Sequence, residues 1–166
     1  KVNKFHTQTL SIKPEIKFTN QKIKFGNAFH DFMSRILYVS DYKKEVEIFM
    51  KLNFIDLEVK KQIFSVSKQL INHHNLKKYF LSNNSVVCEK EIFVDSGKPI
   101  RPDRIVFNEN KQIVIIDYKT GERSIKDENQ IKKYRQILSK MGYKVNKTVL
   151  IYVSANNNNI VVVSNK

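Results

Sequence analysis

Two residues at the end of one apolar run are placed to do chemistry. From Ile113 to Gly121 the chain reads IVIIDYKTG: four apolar β-formers lead into Asp117, Tyr118 and Lys119, and Thr120 and Gly121 break the run. A short apolar segment bounded by turn residues predicts a buried central strand. Side chains alternate along a strand, so Asp117 and Lys119 share one face and Tyr118 takes the other. Burying a carboxylate and an ammonium is costly unless they are paired or bound to a metal. From these residues alone the pair reads either as a strand-end salt bridge or as a site.

Asp103 joins them. It lies in Ile100-Arg101-Pro102-Asp103-Arg104, within a segment, Ile100 to Phe107, that reads as the preceding strand. Antiparallel pairing across the Asn108-Glu109-Asn110 turn can bring Asp103 near Asp117 on one sheet face. Carboxylates that close repel unless a cation joins them. Their oxygens suit a hard ion, magnesium or manganese. The competing reading is a structural ion cluster neutralised by Arg101, Arg104 or Lys119.

The elements that must hold these groups can be read in order. Residues 1–21 form a polar and basic lead-in with Pro14 as a breaker. A helix is predicted from about Lys22 to Tyr38, with Phe25, Phe29, Phe32, Met33 and Ile36 on its core face. Gly26 and His30 lie one turn apart on a neighbouring stripe. Lys43 to Lys51 and Asp56 to His74 are two further helices, Asp56 serving as N-cap of the second. Leu76 to Leu81 is a short helical turn, and a polar break at 82–85 closes the helical part, 22–82. The sheet core, 85–164, starts with a strand over Val86 to Val94 and a hairpin turn at Asp95-Ser96-Gly97. After Ile100–Phe107 and Gln112–Lys119 comes a helix from Ile125 to Met141, with Gly142 as its stop. Strands at Lys147 to Ser154 and Ile160 to Ser164 finish the chain. The fold class is therefore α/β: three antiparallel strands, then a helix crossing to a parallel neighbour.

Composition narrows the class. With 166 residues, 41% hydrophobic content, 11 Phe and 7 Tyr, the chain fits one folded domain spanning 1–166. No apolar run reaches the roughly 20 residues of a membrane span, and no signal-peptide pattern opens the chain. The single Cys88 excludes an internal disulfide framework and fits a cytoplasmic setting. The His and Cys residues lack zinc-type spacing. A start at Lys1 is expected of a fragment cut from a longer protein. A net charge of +14 points to a polyanionic partner, nucleic acid first, although a composition rich in Lys and Asn is also what codon bias produces.

Pro102-Asp103, followed fourteen positions later by Asp117-Tyr118-Lys119, resembles the PD-(D/E)XK nuclease signature. More narrowly, Gly26-Asn27-Ala28-Phe29-His30 resembles the Gly-x-x-x-His helix of the RecB-type family. Asp117 to Gly121 resembles its Asp-Tyr-Lys-Thr-Gly strand end, and Gln130-Ile131-Lys132-Lys133-Tyr134 its Gln-x-x-x-Tyr helix. Arg101-Pro102-Asp103-Arg104 departs from the family's Gly-x-Asp-Arg form but keeps the Asp. The resemblance covers roughly 22–154 and implies a restriction-endonuclease-like core, α-β-β-β-α-β, with an N-terminal helical part. It implies a magnesium- or manganese-dependent DNA nuclease, an exonuclease for preference. Such domains often end bacterial helicase–nucleases of the UvrD/AddA kind that act in DNA end processing and recombinational repair. The helicase, linked or associated, and DNA are the implied partners.

The roles carried over are these. His30, Asp103, Asp117 and the backbone carbonyl of Tyr118 would ligate the metal. Lys119 would stand beside the scissile phosphate, orient the attacking water and stabilise developing charge. Gln130 and Tyr134 would line the site, with Glu89 at its edge and Arg104 nearby. Without the resemblance, His30 and Gln130 read as helix-surface residues and Tyr134 as core. Asp31 reads as surface and His73-His74 as a solvated helix end. Two alternatives use the same fold: a DNA-binding module without catalysis, and an endonuclease or junction resolvase.

Overall fold

The computed structural model describes residues 25–94, 98–108, 112–154 and 159–165. The expected lead-in, the first turn of the first helix, the Asp95-Ser96-Gly97 turn, Glu109 and Asn110, and most of the stretch between the last two expected strands lie outside them.

Among the described residues three α-helices precede the sheet: α1 (Phe25–Arg35), α2 (Tyr42–Met50) and α3 (Leu57–Asn72). Helix α1 ends three residues before the expected Tyr38. The Asp41 carboxylate accepts from the Leu37 and Tyr38 amides at 3.1 and 2.8 Å, offering the backbone an alternative to another helical turn. Phe29, Phe32, Met33 and Ile36 are buried as the 3.6-residue period requires. They pack with Phe49 of α2 and Ile63, Val66 and Leu70 of α3.

Five strands follow among the described residues: β1 (Ser85–Cys88), β2 (Arg104–Phe107), β3 (Gln112–Lys119), β4 (Lys144–Ser154) and β5 (Asn159–Asn165), ordered β1-β2-β3-β4-β5 across one sheet. All neighbours are antiparallel except β3 and β4, which are parallel and joined through α4 (Ile125–Lys140). Helix α4 ends as Gly142 predicts. At φ +89°, Gly142 donates to Ser139 O while Tyr143 donates to Leu138 O, the paired bonds of a Schellman stop. Alternation along β3 sorts its side chains between two layers. Ile116 and Tyr118 face α1–α3, whereas Ile113 and Ile115 pack with Ile131, Tyr134 and Leu138 of α4.

The first two strands are shorter than the sequence predicts, and the reason bears on the site. The run Val86–Val94 leaves the ladder after Cys88, where Glu89 adopts φ +50°, and only an isolated bridge joins Ile92 to Ile100. Asp103 is not inside β2 but immediately before it. Pro102 has no N–H to donate, so the regular ladder cannot run through it. Besides the two bonds of the Ile92–Ile100 bridge, what remains is one bond from Glu89 N to Asp103 O at 3.1 Å. A left-handed conformation costs a non-glycine residue about 1–3 kcal/mol and persists only where surroundings impose it. Here it turns Glu89 toward the end of β3.

Candidate functional site

The C-terminal end of β3, the kink before β2 and one face each of α1 and α4 enclose an open cleft of about 770 Å³. His30, Glu89, Asp103, Asp117, Lys119, Gln130 and Tyr134 all line it. The structure therefore brings together seven of the nine residues singled out from the sequence. The other two face the opposite layer.

Tyr118 is one of them. Its ring is buried against Phe29 in an edge-on contact, with centroids 5.8 Å apart. Burial also pushes its phenol well above the ordinary tyrosine range. Its backbone still serves the site, since Tyr118 N donates to Asp103 Oδ2 at 2.6 Å. Arg104 is the second, and here the expectation of a site-lining arginine is corrected. Arg104 pairs with Ile116 in the ladder, so alternation sends it to the helical layer, away from Asp103. Wholly buried, it donates to Ile36 O, Leu37 O and Tyr79 O at 2.9, 2.5 and 2.9 Å and lies 4.1 Å over the Phe80 ring. It is a cation at the C-terminus of α1, where the helix dipole favours positive charge. It locks α1 to β2 and neutralises no cleft carboxylate directly.

Helix α1 reaches the strand end because Gly26 has no side chain. A Cβ there would lie 2.6 Å from Thr120 Oγ1, closer than any real contact. One turn later His30 stands over the kink, its Nδ1 at 3.2 Å from Asp103 Oδ1 and 3.7 Å from Glu89 Oε1. Gly26→Ala is expected to move α1 or Thr120 and to cut any catalytic activity of the cleft about tenfold or more, and Gly26→Ala with Thr120→Ala to restore it, because the Thr120 Cβ is already 3.6 Å away. Steady-state rates of the two variants, with melting temperatures alongside, check this. A double variant no better than the single one would refute the steric account.

Asp117 is 2% exposed, and its Oδ2 lies 2.6 Å from Lys119 Nζ without forming an aligned hydrogen bond. Lys119 donates instead to Gln130 Oε1 at 2.7 Å, so α4 holds the ammonium in place. Burial, and next the negative Asp103, push the Asp117 carboxyl up to about 6 despite Lys119. For His30, burial opposes the charge, but hydrogen bonds and charge from Asp103 and Glu89 outweigh it and raise the imidazole to about 9. Tyr134, pushed up to about 12 by burial and the carboxylates of Asp117 and Asp103, stays a neutral hydroxyl. Its OH lies at the limit of hydrogen bonding, 3.5 Å, from Arg101 O.

Asp117 and Lys119 thus form the ion pair anticipated at the strand end, and both line the cleft. The arrangement also fits a metal. His30, Glu89 and Asp103 offer one ligand atom each, all within 4.8 Å of one another. Asp117 adds a buried carboxylate oxygen that lacks a hydrogen bond. Carboxylate oxygens with one imidazole suit a hard divalent ion and would satisfy groups that otherwise repel.

Sequence reasoning missed several residues of the walls. Asn27, Asp31 and Ser34 line the cleft with His30 from α1, and Lys133 lines it with Gln130 and Tyr134 from α4. Asp31 is exposed as expected, but it sits on the cleft rim, paired with Arg35 at 3.1 Å. The signal that could have found them is helical spacing: 27, 30, 31, 34 and 130, 133, 134 each define one stripe. His73 and His74 stack at the end of α3, outside the cleft.

A mixed five-stranded sheet flanked by helices, with charged groups gathered at the end of its central strand, defines a restriction-endonuclease-like α/β core. Residues 4–159 match the family model of the PD-(D/E)XK nuclease superfamily, and the chain belongs to that superfamily. No curated protein matches the chain significantly. A solved structure titled "Crystal structure of SSO0001" aligns over 84% of this chain and 74% of its own, at 17% identity and a TM-score of 0.36. The superfamily consists generally of metal-dependent nucleases, so membership makes nucleic acid the substrate class. Among the described residues no helix is long and apolar enough to cross a membrane.

Proposed function

We propose that the chain is a deoxyribonuclease of the RecB-type branch that hydrolyses phosphodiester bonds with magnesium or manganese. It acts as the exonuclease domain of a cytoplasmic bacterial helicase–nuclease in DNA end processing and recombinational repair. The observation that carries the reading is the convergence on one cleft of His30, Asp103, Asp117 and Lys119 with Gln130 and Tyr134. A salt bridge needs only Asp117 and Lys119. It gives no reason for a helix-borne histidine over a strained Glu89 and a buried Asp103.

His30, Asp103 and Asp117 would hold the ion, with the Tyr118 carbonyl and Glu89 as further ligands. A divalent ion bound there would supply a water of lowered pKa as nucleophile and would offset charge on the phosphoryl oxygens. Lys119 faces the scissile phosphate, directs the water toward phosphorus and stabilises charge that develops on the oxygens. The Gln130 carbonyl keeps that ammonium aimed into the cleft. A neutral Tyr134 phenol donates a hydrogen bond without adding charge.

Incubation with linear and supercoiled plasmid tests the reading. Loss of the linear DNA in manganese or magnesium, silenced by EDTA, is expected. Nicking of supercoiled circles at an equal rate would favour the endonuclease branch. DNA binding with neither cleavage nor metal uptake would leave only a binding module.

A further inference from the structure

The two helical walls of the cleft differ in charge. The α1 stripe offers Asn27 and Ser34 beside His30, and Asp31 adds a carboxylate to its rim. The α4 stripe offers Gln130, Lys133 and Tyr134. Of the cations that line the cleft, Lys119 is engaged by Asp117 and Gln130, and Arg101 Nε lies 3.1 Å from Glu89 Oε2. Lys133 is exposed, and among the described residues that line the cleft it is the cation with no ion pair. It sits three residues beyond Gln130 on the same helix face, about 4.5 Å further along the axis. The α4 wall therefore adds an unpaired positive charge one turn along the helix from the Lys119–Gln130 contact, whereas on the opposite rim the Asp31 carboxylate is held by Arg35 at 3.1 Å.

We propose that Lys133 binds a backbone phosphate adjacent to the reacting one, so that the substrate strand lies along α4 and turns its bases toward Asn27 and Ser34. This rests on the nuclease reading of the cleft and names the side chain that sets the strand's position in it. A compact ammonium on a flexible stem suits a phosphate contact that must tolerate any sequence.

The neighbouring Lys132 provides the control. It carries the same charge on the same helix but lies about 100° around it, beside Glu128 and outside the cleft. If the basic surface merely attracts DNA through its net charge, Lys132→Ala and Lys133→Ala weaken binding equally. If Lys133 holds a phosphate, only its variant does so strongly. Fluorescence anisotropy with a labelled single-stranded oligonucleotide, in EDTA across a potassium chloride series, measures both on the full chain. For Lys133→Ala the expected result is severalfold weaker binding and a log–log salt slope shallower by about 0.7. For Lys132→Ala the expected change is under about twofold, with the slope kept. With manganese present and DNA in excess over enzyme, Lys133→Ala should raise KM and leave kcat near wild type.

Equal effects from the two variants, or no change in slope for Lys133→Ala, would overturn the assignment even if the protein cleaves DNA. Selective weakening by Lys133→Ala in a protein that never cleaves would uphold the contact and refute the nuclease reading instead.

Discussion

Lys119→Ala should lower kcat for DNA cleavage by about 10²–10³-fold, the range seen when a preorganised group facing developing charge is removed. Metal binding should survive, because Lys119 is not among the groups positioned to hold the ion; it pairs with Asp117 at 2.6 Å and with Gln130 at 2.7 Å. The fold should survive too. The ammonium lies at the cleft wall, and removing it lets the Asp117 carboxyl take up a proton more readily. Rates on linear DNA, with calorimetric titration of manganese, separate these effects. A variant that cleaves at the wild-type rate would remove Lys119 from the mechanism. One that neither binds manganese nor folds would make it structural.

Asp117→Asn should abolish cleavage and, in EDTA above pH 6, make the protein more stable than wild type. The carboxyl is buried beside Asp103, so its folded-state pKa, about 6, exceeds the ordinary 3.8. The folded state binds the extra proton, and the stability this group contributes is whole below pH 3.8 and lost as pH rises through 6. Asparagine keeps the shape without that loss. The gain at pH 7.5 should be about 1–3 kcal/mol, reduced by what Lys119 forfeits when its partner becomes neutral, and it should vanish near pH 4. Melting curves in EDTA at several pH values measure it. Adding manganese should then reverse the ranking, since wild type alone gains a bound ion. An Asp117→Asn protein less stable than wild type at pH 7.5 would mean that the ion pair outweighs the burial of charge. His30, raised to about 9, contributes stability that is whole below pH 6.5 and lost as pH climbs through 9 in both proteins.

The two expectations describe one trade. Burial, like charge and a left-handed Glu89 all work against the metal-free site, and the local structure persists because α1, β2 and β3 are tied together elsewhere. Arg104 is the main tie. Three backbone carbonyls from two segments converge on one guanidinium that makes no contact with the cleft. This shows how a residue next to Asp103 in the chain serves the site by fixing its walls and not by touching a ligand.

Much of the fold was legible in local pattern. β3 runs over the residues that its apolar run marks, and α4 starts at Ile125 and stops before Gly142 as the turn chemistry requires. Alternation alone assigned Asp117 and Lys119 to one face and the Tyr118 ring to the other. The nearness of Asp103 to Asp117 was legible because antiparallel neighbours share a register, and the ladder that sets Arg104 opposite Ile116 leaves the two carboxylates close together. Where pattern misled, a nonlocal or single-residue constraint was responsible. The Val86–Val94 run is uniform enough to read as one strand, but its partner carries Pro102, and the ladder breaks at Glu89. The α1 helix has the periodicity to continue past Arg35, yet a carboxylate six residues on captures its last amides.

By itself, then, the sequence determined the element order, the crossover, the burial of β3 and the residue types able to do chemistry at its end. These follow from short-range sterics and hydrophobic period, which neighbours in the chain carry. Only the tertiary structure decided that His30 and Glu89 meet over Asp103, that Gln130 aims Lys119, that Lys133 faces the cleft while Lys132 does not, and that Arg104 turns away. Each of those outcomes depends on how one element lies against another: a glycine's missing Cβ lets α1 approach, and a lost N–H kinks a strand. Such contacts join residues up to 73 positions apart, and no local period in the chain records them.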